Sequence, residues 1–241
     1  MKRLRGGGPR YENAEPPSPD EFVVDARKER VERVVSLRTR NLCVVLDRLE
    51  DSFNIAAVLR TCEGLGIQEI HVIQNPEYPF EAHQKVTQGC EKWLEIRKYK
   101  RFADCKAALK ARGFELWASA IREGATKLYE MRFDRKIAFV LGNERYGVSQ
   151  EVLDGVDGVY WIPMRGFSQS FNISVAAAMT LSHAVMWRIQ HGGEAGDLAP
   201  DEAKALRDHF VKLSVKQGKR IYKDLHPMNP AAPRTSEGSE E

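Results

Sequence analysis

Residues 41–73 have the sequence NLCVVLDRLEDSFNIAAVLRTCEGLGIQEIHVI. The first part, LCVVLD (42–47), is a short and almost wholly apolar run, which predicts a buried strand. NIAAVLRTCEGLG (54–66) has a helical composition and closes on glycines, which commonly stop helices. IQEIHVI (67–73) predicts a second strand. Because two parallel strands need a long crossover between them, this strand–helix–strand order favours parallel pairing.

The same alternation continues along most of the chain. We predict further strands at 93–99, 114–120, 136–142 and 158–164, and helices at 102–113 and 174–190. The run at 136–142, KIAFVLG, is apolar almost throughout, as expected for a strand covered on both faces. The sequence therefore predicts an α/β fold, with a mostly parallel sheet flanked by helices.

Charged helices and polar tails are expected outside this alternation. An amphipathic helix is predicted at residues 24–38 and a basic helix at residues 201–217. The two ends of the chain have the polar composition that is typical of disordered segments. We predict a disordered tail (1–22), a basic N-terminal helix (23–40), the α/β domain (41–192), a basic C-terminal helix (200–224) and a second disordered tail (225–241).

Basic residues gather near both ends of a chain whose formal net charge is only +3. This distribution is typical of arms that bind a polyanion. The alternative is a pair of ordinary solvated helix faces, since Glu29, Glu32, Asp201 and Glu202 are interspersed among the cations. Charge alone leaves both interpretations open.

The four cysteines indicate a reduced protein without structural zinc, because none falls in a C-x-x-C pair or has a histidine at ligand spacing. The N-terminal residues contain no apolar stretch that could act as a signal peptide. No run of about eighteen apolar residues occurs, which argues against a membrane-spanning helix. A soluble, cytoplasmic protein without a metal site is expected.

Three polar segments follow predicted strands, at the positions where open α/β sheets bind ligands. They are residues 47–61, 142–149 and 162–174. The second lacks both the G-x-G-x-x-G pattern and a P-loop lysine, so an ordinary Rossmann site gains little support. Gly142 would let a ligand approach the backbone closely, but it would equally suit a simple turn between a strand and a helix.

The other two segments carry more specific signals. Five of the seven residues at 168–174 are polar, and because one helix cap needs one such residue, the excess indicates a binding surface. In the first segment, Asn54 and Arg60 are six positions apart, which is roughly 600° around a helix. They can face one ligand only if Asn54 lies at the helix start. A snorkelling surface arginine is the alternative for Arg60.

Together, the three segments resemble the signature motifs of the SpoU (TrmH) family of RNA 2′-O-methyltransferases. The first motif matches residues 54–61 (NIAAVLRT) and the second matches residues 141–149 (LGNERYGVS). The third matches IPMRG at 162–166 and QSFNISVA at 169–176. The motifs stand in the family's order and at its spacing, and the match runs from about residue 28 to residue 190.

The resemblance implies an α/β fold with a C-terminal trefoil knot, which works as a homodimer with S-adenosylmethionine as methyl donor. By position, the implied cofactor-binding residues are Ser119, Gly142, Ile162 and Phe171. Phe171 replaces the leucine that is usual in the family. The implied catalytic residues are Asn54, Arg60, Glu144, Ser170 and Asn172.

The role of Arg60 has two interpretations. The family proposal makes this arginine the general base, but a free guanidinium hardly ever loses its proton. We favour the alternative, in which Arg60 holds a substrate phosphate and stabilises the developing alkoxide. Asn54 would then orient Arg60 or the ribose.

Within the family, the transfer-RNA branch fits best, because residues 91–94 (EKWL) resemble its H-K-W-V segment. This implies methylation of the D-loop guanosine at position 18 of tRNA. Phe53 stands where many of these enzymes have histidine, which leaves the nucleotide choice open. The candidates for RNA contact are Arg27, Arg30, Arg33, Arg188, Lys216 and Arg220.

Three other functions remain as alternatives. The chain could methylate ribosomal RNA or another tRNA ribose, or it could be an RNA-binding or assembly protein that kept the fold without catalysis. Retention of Asn54, Arg60, Glu144 and Asn172 argues against an inactive protein. An α/β enzyme that uses a different nucleotide is the third alternative.

Overall fold

The computed structural model describes residues 23–77, 87, 89–193 and 196–215, which form seven strands and six α-helices. The strands are β1 (Thr39–Asp47), β2 (Ile67–Ile73), β3 (Glu95–Tyr99), β4 (Glu115–Ser119), β5 (Thr126–Lys127), β6 (Ile137–Leu141) and β7 (Gly158–Trp161). The helices are α1 (Asp25–Ser36), α2 (Ser52–Gly64), α3 (Phe102–Lys110), α4 (Gln150–Gly155), α5 (Ile173–Gly192) and α6 (Pro200–Ser214).

The seven strands form one sheet in the order β3-β2-β1-β6-β4-β7-β5, and all six strand pairs are parallel. Strands β2 and β6 are buried at every residue. Such continuous burial requires cover on both faces, as parallel sheets normally have. The predicted α/β fold with a parallel sheet is therefore confirmed. The trefoil knot stays a prediction, because strand order and register do not describe how the chain is threaded.

Two apolar clusters lie on opposite faces of the sheet. Helices α2 and α5 cover one face, where Val58 and Leu59 pack in the same cluster as Leu181. Helices α3 and α4 cover the other face, with Phe102 and Val152 in the second cluster. Successive side chains along each strand point to opposite faces of the sheet, so each strand contributes to both clusters. The sheet is thereby packed between two helical layers.

The two terminal helices pack against each other. Val31 and Val35 of α1 share an apolar cluster with Leu206 and Phe210 of α6. The sequence suggested two basic arms, whereas the structure makes α1 and α6 a pair with a common core. Their basic residues therefore lie on the outside of a packed layer.

Most predicted elements are confirmed, with small changes at their ends. Strand β1 begins at Thr39, before the predicted start, and the segment Cys90–Trp93 is a 3₁₀ turn that precedes β3. Strand β5 and helix α4 were missed, since two and six residues are too few to show a period. Both predicted tails, together with Lys216 and Arg220, lie outside the described residues.

A fully buried carboxylate, Glu69, interrupts the apolar strand β2. It accepts hydrogen bonds from both terminal nitrogens of Arg112, at 2.6 and 3.0 Å, and pairs with Arg40 as well. Burial alone would raise the pKa of Glu69, but hydrogen bonds from His71 and Arg112 and the charge of Arg112 outweigh it. They hold the pKa well below its ordinary value, so the carboxylate stays charged inside the fold.

Three of the four cysteines lie in the apolar core. Cys43, Cys62 and Cys105 are buried free thiols, and burial raises the pKa of Cys105 to about 12. Within the described residues, no group of three or more His, Cys, Asp or Glu side chains is arranged to hold a metal ion. None of the helices described there is long and apolar enough to cross a membrane.

Candidate active site

The three polar segments meet at the carboxyl edge of the sheet. Residues 48–51 follow β1, residues 142–149 follow β6 and residues 162–172 follow β7. Strands β1 and β6 are neighbours, with Leu46 paired to Leu141, and only β4 separates β6 from β7. Because parallel strands end at the same edge, this order brings the loops together.

The side chain of Asn54 joins all three segments. Its Nδ2 donates to Oε1 of Glu144 at 3.2 Å, and its Oδ1 accepts from Nδ2 of Asn172 at 3.0 Å. The amide orientation follows from these partners, because a carboxylate can only accept from the nitrogen side. One residue from each motif therefore contributes to a single hydrogen-bonded cluster, which we call the Asn54 cluster (Asn54, Glu144 and Asn172).

The start of α2 explains the position of Asn54. Asp51 caps the helix, with its Oδ1 accepting from the Phe53 backbone nitrogen at 2.8 Å. Asn54 is the third residue of α2, in its first turn, and its side chain can reach the loop after β6. Asn54 thus lies near the helix start but inside the first turn, and that it faces the same ligand as Arg60 stays a prediction.

Asn172 is both a helix cap and a member of the Asn54 cluster. Its Oδ1 accepts from the backbone nitrogen of Ser174 at 2.9 Å, as an N-cap residue does, while its Nδ2 donates to Asn54. The two functions use opposite ends of one amide. Ser170, two residues earlier, is exposed, and no hydrogen bond joins it to the cluster among the described residues.

Asn143 organises the loop after β6, and sequence reasoning missed it. Its backbone exchanges two hydrogen bonds of 2.8 Å with Gly147, and its Oδ1 accepts from the Arg145 nitrogen at 2.8 Å. Its Nδ2 donates to the Arg48 carbonyl oxygen at 2.9 Å. An asparagine directly after a strand, with a glycine four residues on, was the available signal, since both residue types favour tight turns.

Gly142 is required by the loop's own backbone. A Cβ at this position would lie 2.2 Å from the carbonyl carbon of Gly147 and 2.2 Å from the nitrogen of Val148. Gly142 therefore has a role in the turn itself, and its contact with a cofactor stays a prediction. The returning chain already fills the space that a side chain would occupy.

The other expected cofactor residues lie at the same edge of the sheet. Ser119 ends β4 and is paired in register with Tyr160, while Ile162 follows β7 and is almost fully buried. Below them, the Tyr160 hydroxyl donates to Thr180 at 3.2 Å, and burial raises the pKa of Tyr160 to about 12. Phe171, 38% exposed, lies in the loop before α5. These placements suit a ligand bound through backbone groups and apolar contacts.

Arg60 lies outside the Asn54 cluster. It is six residues after Asn54 on α2, or about 9 Å along the helix axis. The side chain is exposed, and within the described part of the chain it makes no hydrogen bond or ion pair. A cation without an internal partner is suited to hold an anion from outside the protein.

Arg188, by contrast, is tied to the chain itself. Its Nε donates to the Phe133 carbonyl oxygen and its Nη2 to that of Arg135, both at 2.7 Å. Nη1 lies 3.1 Å from the Asp197 carboxylate. Every guanidinium nitrogen is engaged within the chain, so Arg188 fastens α5 to neighbouring segments, and its contact with RNA stays a prediction.

A basic cleft of about 100 Å³ lies between α1, α2 and α6. Arg27, Arg30 and Arg38 line it against one carboxylate, Glu63, to which Arg38 donates at 3.0 Å. The guanidinium of Arg27 lies 5.7 Å from the centre of the Trp93 ring. Glu63 is at the end of α2, so the cleft is about 14 Å along the helix axis from Asn54.

Comparison with known proteins relates this geometry to a family. The SpoU rRNA methylase family matches residues 41–182. A tRNA (guanosine(18)-2′-O)-methyltransferase of Thermus thermophilus is 36% identical over 168 residues, which cover 70% of this chain and 86% of that protein.

Two solved structures share the fold. The crystal structure of the A. aeolicus TrmH/SpoU tRNA modifying enzyme has a TM-score of 0.73 and 27% identity, and the match covers 79% of this chain and 98% of that chain. A structure described as giving insights into the 2-OH methylation of C/U34 on tRNA has a TM-score of 0.55 and 29% identity, and the match covers 63% of this chain and 97% of that chain. The chain therefore belongs to the SpoU methylase family.

Proposed function

We propose that this protein transfers the methyl group of S-adenosylmethionine to a ribose 2′-hydroxyl of tRNA, with the D-loop guanosine at position 18 as the expected target. The observation that carries the proposal is the Asn54 cluster, which draws one polar residue from each motif to the carboxyl edge of the sheet. The Thermus thermophilus relative, 36% identical, is named for this reaction. The A. aeolicus structure is of a tRNA modifying enzyme.

A ribose 2′-hydroxyl is a very weak acid, so its methylation requires catalysis of the proton loss or stabilisation of the alkoxide. The 2′-oxygen would bond to the methyl carbon as its bond to sulfur breaks, which leaves the donor as a neutral thioether, and the hydroxyl proton would pass to solvent. S-adenosylmethionine supplies a methyl group that its sulfonium activates. Arg60, a cation without an internal partner among the described residues, would hold a substrate phosphate and stabilise the developing alkoxide with its own positive charge. The Asn54 cluster would fix the ribose in line with the methyl group.

The methyl donor would lie at the carboxyl ends of β4, β6 and β7. Ser119, Ile162 and Phe171 would contribute to its pocket, and the closed loop that starts at Gly142 would form one wall. Support comes from their placement on three neighbouring strands and on the loop before α5. Ser170, exposed in that loop, would contact the ribose or its phosphate rather than the cluster.

The terminal helices would bind the body of the tRNA. Arg30 and Arg33 are exposed on α1. Arg30 also lines the basic cleft, whose lining has three arginines and only one carboxylate. Phosphate contacts of this kind supply affinity for RNA without reading its sequence. Arg27 donates to Ser214 of α6 at 3.3 Å, so it would also hold the two helices together.

A homodimer in the cytoplasm completes the proposal. Val175 and Met186, both on α5, are 45% and 48% exposed, although apolar side chains of this size are usually buried. A second copy that covers this helix would bury them. Sedimentation of the purified chain tests this, and a monomer at micromolar concentration would contradict it.

A second target is favoured by one comparison. The structure described for 2-OH methylation of C/U34 on tRNA is 29% identical and is covered over 97% of its length. The deciding experiment is methyl transfer from labelled S-adenosylmethionine to unmodified tRNA, followed by mapping of the modified ribose. Methylation of the D-loop guanosine supports the first target and methylation of residue 34 supports the second. Absence of methyl transfer to any tRNA would refute the proposed function.

A further inference from the structure

Two exposed aromatic rings flank the Asn54 cluster. Phe53 directly precedes Asn54 and is 73% exposed. Tyr146 lies two residues beyond Glu144 and is 77% exposed. Because Asn54 is bonded to Glu144, the two short segments that carry these rings meet at the cluster. One exposed ring would need no explanation, but two exposed rings at one polar site form a surface that suits a partner from outside the chain.

The backbones that carry the rings are held in place. The Phe53 nitrogen donates to the capping Asp51 at 2.8 Å, and the Tyr146 nitrogen donates to Oδ1 of Asn143 at 3.3 Å. The exposure of the rings is therefore a property of ordered turns. Within the described residues, the Phe53 ring contacts no other aromatic ring or cation. The Tyr146 ring has the Arg145 guanidinium 5.7 Å from its centre.

The chemistry of the substrate identifies the partner. In a ribonucleotide, C2′ carries the reacting hydroxyl and is bonded directly to C1′, which carries the base. Side chains next to the group that holds the 2′-hydroxyl therefore lie next to the base. Bases that leave the RNA stack are commonly bound between aromatic side chains, which replace the lost stacking.

We propose that Phe53 and Tyr146 form a base clamp, which stacks on the nucleobase of the nucleotide whose ribose is methylated. This inference rests on the proposed function and adds the element that positions the target nucleotide. Phe53 has no hydrogen-bonding group in its side chain, so it stacks on the face of the base and does not recognise its edge. The two rings are positioning residues, and neither is among the side chains proposed to line the cofactor pocket (Ser119, Ile162 and Phe171).

The test compares variants of the full chain on an unmodified tRNA transcript that carries 2-aminopurine in place of the D-loop guanosine, and on the natural-sequence transcript. The variants are Phe53→Ala, Phe53→Leu, Phe53→Trp and Tyr146→Ala. The control is Tyr129→Ala, because Tyr129 is also an exposed aromatic, at 53%, but lies outside the three motifs. The measurements are the 2-aminopurine fluorescence, the KM for tRNA, kcat, and S-adenosylmethionine affinity by calorimetry.

Loss of either ring is expected to raise the KM for tRNA about tenfold, as a lost stacking partner does. The quenching of 2-aminopurine should weaken in parallel, while the affinity for S-adenosylmethionine stays unchanged. Phe53→Trp should restore the KM and Phe53→Leu should not, since only the first presents a ring. Tyr129→Ala should behave as the unchanged protein.

Three results would overturn the clamp: alanine variants with an unchanged KM and fluorescence, a Phe53→Leu protein as good as the Phe53→Trp protein, or alanine variants that sediment as monomers when the unchanged protein is a dimer. The last would assign the rings to a contact between two copies. An unchanged protein that methylates the D-loop guanosine of the natural-sequence transcript but fails to quench 2-aminopurine at that position would also refute the clamp. Quenching without methyl transfer would instead uphold the clamp and refute the proposed reaction.

Discussion

The amide of Asn172 uses its two ends for different purposes: its oxygen caps α5, and its nitrogen donates to Asn54 at 3.0 Å. The start of a core helix is thereby coupled to the Asn54 cluster. The side chain that fixes where α5 begins also fixes the orientation of Asn54, and through it the position of the Glu144 carboxylate.

The substitution Asn172→Asp separates these two contributions. A carboxylate still caps α5, so the free energy of unfolding should change little. It cannot donate to Asn54, however, and a single Asn54 orientation cannot direct its nitrogen to both the new carboxylate and Glu144. We expect methyl transfer to fall about 100-fold, because the site is misaligned. Denaturant titration and single-turnover rates measure the two effects.

Asn172→Ala is the matched variant, because it removes both contributions. It should lose about 1 kcal/mol of stability in addition to activity, through the lost cap. If Asn172→Asp kept full activity, the hydrogen bond to Asn54 would have no part in catalysis.

Much of this arrangement could be predicted, because strand ends are visible in the sequence. The apolar runs of β1 and β6 marked where the chain leaves the sheet, and a parallel sheet places all such exits at one edge. That rule brings the three polar segments together, while the choice of residues 54, 144 and 172 within them came from the resemblance to the family motifs. The bond between Asn54 and Asn172 follows from neither, since it depends on the strand order between β1 and β7, which no local pattern encodes.

Gly142 and Arg188, two of the predicted binding residues, are also used by the chain itself. A glycine after a strand and an arginine on a helix have the same local pattern whether their partner is a ligand or a returning backbone. Such partners are distant in sequence and become visible only in the folded chain.

The role of Arg60 is tested with Arg60→Lys, which keeps the charge but loses the planar fork. Arg60 has no partner in the described residues, so the free energy of unfolding and the affinity for S-adenosylmethionine should stay unchanged. If the fork holds a phosphate, kcat/KM should fall about 100-fold. Arg60→Ala should be at least as impaired. Near-normal turnover by either variant would remove Arg60 from the mechanism.

For Gly142, the structure predicts a folding defect together with a binding defect. In Gly142→Ala the new Cβ would meet the Gly147–Val148 backbone at 2.2 Å, so the loop must open. We expect a loss of about 1–3 kcal/mol in the free energy of unfolding, typical of overpacking, and weaker binding of S-adenosylmethionine.

Gly166 provides the control, because a Cβ there meets nothing within 4 Å. Gly166→Ala should leave the free energy of unfolding unchanged. A Gly142→Ala protein as stable as the parent, with only its cofactor affinity reduced, would favour the simpler interpretation that the glycine makes room for a ligand.

The buried carboxylate of Glu69 predicts acid sensitivity. Its pKa in the folded chain is depressed, so its contribution to stability is present above the unfolded pKa of about 4.3 and is lost as the pH falls below it. Glu69→Gln leaves Arg40 and Arg112 without their shared partner and should cost about 3–5 kcal/mol at pH 7. The variant should also lose less stability than the parent between pH 5 and pH 3 (roughly the range of carboxyl titration).

Denaturant titrations at several pH values measure the Glu69 effect. Glu123 is exposed, so Glu123→Gln is the control and should follow the parent at every pH. Equal acid sensitivity in Glu69→Gln and the parent would show that other carboxylates govern acid unfolding.

The contribution of α1 to RNA binding is best tested by point substitutions. Truncation before β1 would remove Val31 and Val35 from the core shared with α6. A loss of stability could then not be distinguished from a loss of RNA affinity. Arg30 and Arg33 are exposed on α1, and neither forms an ion pair within the described residues. Their replacement by alanine should leave the fold intact and weaken tRNA binding equally for any sequence, because phosphate contacts do not read bases.

Salt dependence provides the measurement for α1. Each phosphate contact contributes about 0.7–0.9 to the slope of log K against log salt, so the double variant Arg30→Ala/Arg33→Ala should flatten the slope by about 1–2. Lys106 is the control, because it lies on α3, which covers the opposite face of the sheet from α2. Lys106→Ala should keep the parent slope. If the double variant also keeps it, α1 makes no contact with the RNA backbone, and its arginines form a solvated helix face.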